Sequence, residues 1–206
     1  MIVRSRAGGA PAVSPAPDSG ATLIELLTVL TLVAFVCTLA VPVTGATIDA
    51  SRARQAAGFV AARVRWARQH AVFRTAATAL LFDQTATGWA FRVCVDGNGN
   101  GLRRAELVSG KDTCVEGPYD LSVLFGGIKV ALDGTIPGPE GDPASTDPVH
   151  LGRSDLVSCT PSGTCTPGTL FLRSPHGAQY AVRVAGATGR TRVLRYEPSS
   201  RTWSEM

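Results

Sequence analysis

Lysine is nearly absent from this chain, and charged side chains are scarce altogether. Only Lys111 and Lys129 occur among 206 residues, so arginine supplies almost all of the 20 basic side chains, and charged residues make up 17% of the composition. A net charge of +4 is too small to identify a nucleic-acid partner, because such binding depends on where the basic residues cluster. Arginine is the cation suited to bidentate contacts with carboxylate or phosphate. The positions of the arginines therefore matter more than their number.

The sequence also lacks the short motifs of common enzyme classes. It contains no GxSxG elbow, no HExxH pair and no glycine-rich phosphate-binding motif. It has no CxxC pair, and its three histidines are widely separated, which disfavours a zinc site. Asp133, Asp155 and His176 follow no spacing that assigns them a catalytic role. We therefore predict that the protein is not an enzyme, and we assign it no cofactor and no metal-ligating residues.

Five cysteines fall into two close pairs and one isolated residue. Cys94 and Cys114 flank one loop, Cys159 and Cys165 flank the segment CTPSGTC, and Cys37 lies within an apolar run. Two such pairs are typical of an oxidising compartment rather than of the cytosol. We expect disulfides between Cys94 and Cys114 and between Cys159 and Cys165, with the Cys37 thiol free.

The first 45 residues divide into a small-residue segment and an apolar segment. Residues 1–20 are rich in proline, alanine and glycine, cannot build a core, and predict a removable leader. Residues 21–45 predict a transmembrane or filament-core helix, because the 18 residues from Leu26 to Val43 carry no charge. Glu25 stands immediately before them, and an ionised carboxylate in lipid is costly unless a cation pairs with it. Glu25 therefore predicts a partner; the alternative is a plain anchor that tolerates a carboxylate near the interface.

Residues 46–77 predict an amphipathic continuation of that helix, since apolar residues recur along them at helical spacing. This stripe comprises Ala53, Ala57, Val60, Val64, Ala67 and Ala71, widened by Phe59, Ala62, Trp66 and Phe73. One long helix should therefore pack this face on the remainder of the chain.

Residues 78–206 change to a period of two, which is typical of β-strands. Six segments alternate in this way: TALLFD, GWAFRVCVD, IKVALD, TLFLRS, AQYAVRVAG and RTRVLRYE. Strands do not alternate with helices, so we predict antiparallel sheets and an α+β fold in which the long N-terminal helix packs on the sheets. The proline-rich connection from Gly134 to Pro148 is expected to be mobile rather than packed.

The segment DGNGNGLRRAE, residues 96–106, has two interpretations. Its side chains alternate as the ligands of a calcium loop do, at Asp96, Asn98 and Asn100. Glu106, the acidic residue that would close such a loop, falls one residue short, and no helix is evident after it. We favour a glycine- and asparagine-rich hairpin connection without a metal.

The N-terminal segment resembles the signal of a known protein family. Gly20-Ala-Thr-Leu-Ile-Glu25-Leu-Leu, followed by an apolar helix that contains Pro42, is similar to the type III signal of type IV pilins and type II secretion pseudopilins. The resemblance implies that a prepilin peptidase cleaves between Gly20 and Ala21 and methylates the new amino terminus. It also implies that Glu25 pairs with the N-terminal amine of a neighbouring subunit. The protein would then be a single-pass inner-membrane protein with a periplasmic globular domain.

A narrower resemblance is to the GspH/FimT branch of that family. It rests on GWAF, VDGNGNG and AE in the middle of the chain and on the closing segment CTPSGTCTPGTLFLRSPHGAQYAVRVAGATGRTR. The branch contains minor pseudopilins of the type II secretion system and minor pilins of type IV pili, in which a long helix lies against two small antiparallel sheets. The implied function is a structural filament subunit in protein secretion or pilus assembly, whose partners are other pilins or pseudopilins.

The alternative function is the binding of double-stranded DNA for uptake in natural transformation. The turn segment GATG, residues 186–189, predicts a hairpin in which Arg183 lies opposite Arg192. These two arginines and Arg190 would share the face opposite the core, where a phosphate would relieve their mutual repulsion. Residues Gly189 to Arg192 resemble the GRxR motif with which DNA-binding FimT-like minor pilins capture DNA. The interpretation without a ligand is a solvated arginine face that protects a sheet edge.

Overall fold

A computed structural model describes residues 20, 22–86, 88–141, 143–152 and 154–206, without the side chains of residues 39–44. The predicted leader therefore lies outside the described residues except for Gly20, and so does Ala21 of the predicted cleavage site. Contacts divide the chain between Pro42 and Val43 into two units.

Helix α1 runs from Leu23 to Arg74 and includes most of the two consecutive segments for which a helix is predicted. Among the described residues, no helix combines the length and the apolar character that a membrane crossing needs. The uncharged run predicted to span the membrane, Leu26 to Val43, continues into residues 39–44. That part of the prediction lies outside the described side chains.

From Val43 onward, α1 is the long helix of a globular α+β unit. The six main positions of the predicted apolar stripe, from Ala53 to Ala71, are all buried, which confirms the helical periodicity. Phe59 and Trp66 pack against the same core. The expectation for Ala62 and Phe73 is wrong, since both are exposed. Each lies about 160–180° around the helix from the centre of the stripe, so neither can reach the sheets.

Ten strands in the described residues form two antiparallel sheets, which confirms the predicted α+β class. The first sheet, in the order β3-β2-β1-β6, comprises β1 (Thr78–Thr85), β2 (Gly88–Val95), β3 (Thr113–Asp120) and β6 (Leu156–Cys159). The second has the order β10-β9-β8-β7-β4, and β5 also pairs with β7. Its strands are β4 (Lys129–Val130), β5 (Val149–Leu151), β7 (Gly168–Arg173), β8 (Gln179–Val184), β9 (Thr191–Glu197) and β10 (Thr202–Glu205).

Some secondary-structure elements are not predicted by the sequence patterns. Strand β3 contains Gly117 and Pro118, which are unfavourable in strands, and β5, β6 and β10 have only three or four residues each. Two short helices, α2 (Arg104–Val108) and α3 (Leu121–Leu124), are also present. Helix α2 follows the DGNGNG segment directly, so the expectation that no helix stands there is wrong.

The main core lies between α1 and one face of each sheet. Its largest fully buried side chains on the strands are Leu80, Phe82, Phe91, Leu151, Leu170 and Leu172. The Tyr180 hydroxyl donates a hydrogen bond to the backbone carbonyl of Ala50 at 3.1 Å, which ties β8 to the helix. The many alanines of α1 allow its backbone to approach the sheets closely, and the aromatic side chains of the strands fill the remaining space.

An ionic cluster fixes α2 against the first sheet. The Asp83 carboxylate on β1 accepts hydrogen bonds from Arg92 at 2.6 Å and from Arg104 at 2.7 Å. Arg104 also donates to the backbone carbonyls of Phe82 and Ser154. Burial alone would raise the pKa of Asp83, but the two guanidinium groups lower it overall.

The connection from β4 to β5 touches the outer face of the second sheet near its start. Leu132 packs with a small cluster formed by Phe171, Leu194 and Trp203. The Trp203 indole N–H donates to the backbone carbonyl of Pro137 at 2.8 Å. The residues that hold the connection come from distant strands, so its own polar composition gave no sign of them.

A buried amide holds the start of the same connection. The Gln179 side chain is 2% exposed and donates to the backbone carbonyls of Ala131 and Leu172. Its oxygen accepts a hydrogen bond from the backbone N–H of Asp133 at 3.3 Å. One side chain therefore bonds to three backbone groups at the point where β4 leaves the sheet.

Candidate assembly helix and arginine hairpin

Helix α1 begins with a polar cap that places Glu25 in its first turn. The backbone N–H of Glu25 donates to the Thr22 carbonyl at 3.1 Å and to the Thr22 hydroxyl at 3.3 Å. A carboxylate in this position is stabilised by the positive end of the helix dipole. Within the described part of the chain, however, the Glu25 side chain forms no ion pair and no hydrogen bond.

Glu25 is surrounded by large apolar side chains that the described residues leave uncovered. The ten that are each more than half exposed are Leu23, Ile24, Leu26, Leu27, Val29, Leu30, Leu32, Val33, Phe35 and Val36. Soluble monomers rarely expose a continuous apolar surface of this extent.

The other polar side chains of this segment are satisfied within the helix. The hydroxyls of Thr28, Thr31 and Thr38 donate to backbone carbonyls three or four residues earlier, with Thr38 to Phe35 at 2.7 Å. These threonines can therefore enter an apolar environment without an unpaired donor. Glu25 differs from them because its side chain has no hydrogen-bond partner among the described residues. Gly20 is exposed, and the free Cys37 lies on the same exposed helix segment.

The predicted C-terminal hairpin is present with the predicted register. Arg183 on β8 lies opposite Arg192 on β9, and Val182 lies opposite Val193. The backbone N–H of Ala185 donates to the Arg190 carbonyl at 2.9 Å, which closes the turn. The valines face the core, and the arginines face away from it.

Gly189 has a steric role in this hairpin. Its φ of +62° is a conformation that favours glycine, and a Cβ added there would stand 2.4 Å from Cδ of Arg68 on α1. Arg68 in turn donates to the backbone carbonyl of Gly163 at 2.8 Å. Arg68 thus joins the end of α1 to the hairpin turn and to the loop between Cys159 and Cys165. A glycine in this position therefore has a structural reason independent of any ligand.

Two carboxylates from this same chain pair with the three arginines. Glu140 forms an ion pair with Arg183, and Glu205 on β10 lies 3.4 Å from Arg190 and 3.5 Å from Arg192. The repulsion expected between Arg183 and Arg192 is therefore relieved without a phosphate. The sequence patterns miss both carboxylates: Glu205 belongs to a strand too short to predict, and Glu140 comes from the connection expected to be mobile.

The chain matches no known family model, no curated protein and no solved structure. The resemblance therefore rests on the sequence alone: on Gly20 and Glu25 for the wider family of pilins and pseudopilins, and on the middle and closing segments for the GspH/FimT branch.

The DGNGNG segment forms a closed hydrogen-bonded loop. The Asp96 carboxylate accepts from the backbone N–H groups of Asn98, Gly99 and Gly101. Burial would raise the pKa of Asp96, but these donors lower it overall. Glu106 accepts from the side-chain amides of Asn98 and Asn100. Among the described residues, no group of three or more acidic, histidine or cysteine side chains is placed to hold a metal ion. The loop connects the antiparallel strands β2 and β3.

Both cysteine pairs form the disulfides expected from their spacing. Cys94 and Cys114 face each other on the paired strands β2 and β3, and their bond clips the base of the DGNGNG connection. Cys159 and Cys165 close the short loop beside Arg68. Cys94, Cys159 and Cys165 are buried within the apolar clusters of the globular unit.

Proposed function

We propose that this chain is a minor pilin or pseudopilin, a structural subunit of a type IV pilus or of a type II secretion pseudopilus, and that it is not an enzyme. The observation that carries the proposal is the environment of Glu25. A carboxylate without a partner among the described residues stands in the first turn of a 52-residue helix, among apolar side chains that are exposed.

The proposed assembly step follows from that environment. A prepilin peptidase cleaves between Gly20 and Ala21, and the new N-terminal amine of one subunit pairs with Glu25 of its neighbour. The apolar surface of α1 is then buried in the inner membrane or among the helices of the filament. Burial of an unpaired carboxylate costs several kcal/mol, which an opposite charge at hydrogen-bonding distance offsets. Assembly thereby selects a specific register between neighbouring helices.

The globular unit suits a periplasmic location. It carries two disulfides, which form in oxidising compartments, and it packs its antiparallel sheets on the second part of the same helix. A subunit of this design anchors through the first part of α1 and presents the sheets outside the membrane.

The experiment compares single variants in a host that carries the filament system. Gly20→Ala should leave the leader attached, as measured by mass spectrometry of the purified protein. Glu25→Gln keeps the size of the side chain and removes its charge, so the protein should be processed normally but lost from the sheared filament fraction. Thr28→Val, one turn along the helix, is the matched control and should assemble normally. If Glu25→Gln assembles as well as the wild type, the proposed role of the carboxylate is wrong.

A second candidate function is the binding of double-stranded DNA in natural transformation. The observation in its favour is that the guanidinium groups of Arg183, Arg190 and Arg192 share one face of the hairpin, with only two carboxylates among the three. Such binding would be weak, with a Kd in the micromolar range or looser, indifferent to sequence and strongly salt-dependent.

The test of the second candidate is a titration of the full-length chain with a DNA duplex at low and at moderate salt. Arg190→Ala combined with Arg192→Ala should abolish binding, because it removes two phosphate contacts at once. Arg195→Ala is the matched control, since Arg195 lies on the same strand but by alternation faces the opposite side. If the wild type does not bind DNA even at low salt, the structural function alone remains.

A further inference from the structure

The connection between β4 and β5 covers the face of the second sheet that carries the arginines. It is anchored before Glu140 by the Trp203 hydrogen bond to Pro137 and by the Gln179 amide. It is anchored after Glu140 where the Asp147 carboxylate accepts from the backbone N–H of Val149 at the start of β5. Residues 138–141, which lie between these two points, are called the strap.

Glu140 is the residue of the strap that reaches the arginines. Its carboxylate pairs with the guanidinium of Arg183, which also donates to the Thr169 hydroxyl at 3.2 Å. The Arg183 side chain is 21% exposed, whereas that of Glu140 is 59% exposed. The arginine is thus fixed within the sheet, and the carboxylate rests on it from the solvent side.

A cavity of about 330 Å³ opens at this contact. It is lined by Glu140, Arg183, Arg192, Leu194, Trp203 and Glu205. Two guanidinium groups and an indole ring face the same space as two carboxylates. A phosphate group that entered the cavity would bind the same guanidinium that Glu140 now occupies, because carboxylate and phosphate use the same bidentate geometry.

We infer that Glu140 is an internal competitor for the phosphate groups of DNA, and that the strap must release Arg183 before a DNA backbone can bind the hairpin. This inference rests on the second candidate function and concerns the regulation of that site. The contact is suited to reversible release, because Glu140 is largely exposed and an exposed ion pair is weak and screened by salt. Arg190, which is 69% exposed, would make the first contact with DNA, and Arg183 would become accessible only after release.

The experiment measures DNA affinity of the full-length chain in a nonionic detergent, with a short duplex of random sequence as the probe. Glu140→Gln should bind about twofold to fivefold more tightly than the wild type, which is the range expected when an exposed ion pair no longer competes. Glu197→Gln is the matched control for the change in net charge. Glu197 pairs with Arg195 at 3.3 Å on the opposite face of the sheet, so its removal should leave the affinity nearly unchanged.

A second measurement follows the strap itself. Hydrogen exchange of the wild type should become faster at residues 138–141 when DNA is added, because release of Glu140 frees the turn in which the Gly141 N–H bonds to the Gly138 carbonyl. Equal DNA affinity of Glu140→Gln and Glu197→Gln, or unchanged exchange of the strap on binding, would overturn the inference and leave DNA binding intact. If neither the wild type nor Glu140→Gln binds DNA, the second candidate function fails as well.

Discussion

Substitution of alanine for glycine should have opposite effects on the stability of the globular unit at Gly168 and at Gly58. At Gly168, the first residue of β7, an added Cβ would stand 2.1 Å from the backbone oxygen of His150 and 3.0 Å from Cα of Leu151. At Gly58, within α1, an added Cβ would meet no other residue within 4 Å. The chemical change is the same at both positions, so the opposite signs reflect the different surroundings of the added methyl group.

The expected loss at Gly168 follows from the atoms that the new methyl group meets. Both belong to the backbone of β5, so a side chain cannot rotate away and the strand itself must move. Overpacking of this kind costs about 1–3 kcal/mol. A change of 1 kcal/mol shifts the melting temperature of a unit of this size by about 2–4 °C, so Gly168→Ala should melt about 2–12 °C below the wild type.

The expected gain at Gly58 comes from the helix. Glycine in a helix interior is about 0.5–1 kcal/mol less favourable than alanine, because it loses more backbone entropy on folding. Gly58→Ala should therefore melt about 1–4 °C above the wild type.

Circular dichroism melts of the full-length chain, at one protein and detergent concentration, give both values. If Gly168→Ala melts at or above the wild type, β5 does not pair with β7 at the described distance. If Gly58→Ala is destabilised, the exposed side of α1 is in contact with another molecule under the conditions of the assay.

Three further predictions concern buried or bridging groups. Gln179→Ala should lower the free energy of unfolding by about 1–3 kcal/mol, measured with urea, because it leaves buried backbone groups unpaired; a change near zero would contradict this. Because the folded pKa of Asp83 lies below its ordinary value of 3.8, the stability that Asp83 contributes is present above that pH and is lost as the pH falls below it. Asp83→Asn should therefore be less stable than the wild type at neutral pH and show a shallower decline in melts toward pH 3. Cys159→Ala combined with Cys165→Ala should cost about 2 kcal/mol in the same urea assay, and an unchanged midpoint would show that the loop holds without its disulfide.

The sequence predicts best those features that depend on neighbouring residues. The buried stripe from Ala53 to Ala71 follows from helical spacing, and the opposition of Arg183 and Arg192 follows from a short turn and a period of two. Phe73 is hydrophobic but exposed, because it lies about 160° around the helix from the centre of the stripe.

Features that depend on distant residues were not predictable. The connection between β4 and β5 contains many proline, glycine and polar residues, which normally indicate a mobile loop. It is held by Gln179 and Trp203, which belong to strands much later in the sequence. The ion pair of Glu140 with Arg183 joins residues that are far apart in the chain, and no local pattern connects them.

The hypotheses for Glu25 and for the arginine hairpin rest on the same physical rule. A charge that lacks a partner in the sequence pattern predicts that a partner exists. For the hairpin, the structure supplies two partners within the chain, since Glu140 and Glu205 pair with the arginines. For Glu25, the described residues supply none, and the apolar side chains around it are also uncovered. In the proposed function, an external partner therefore pairs with Glu25, whereas at the hairpin an external partner would compete with Glu140 and Glu205. This difference is the reason for ranking filament assembly above DNA binding.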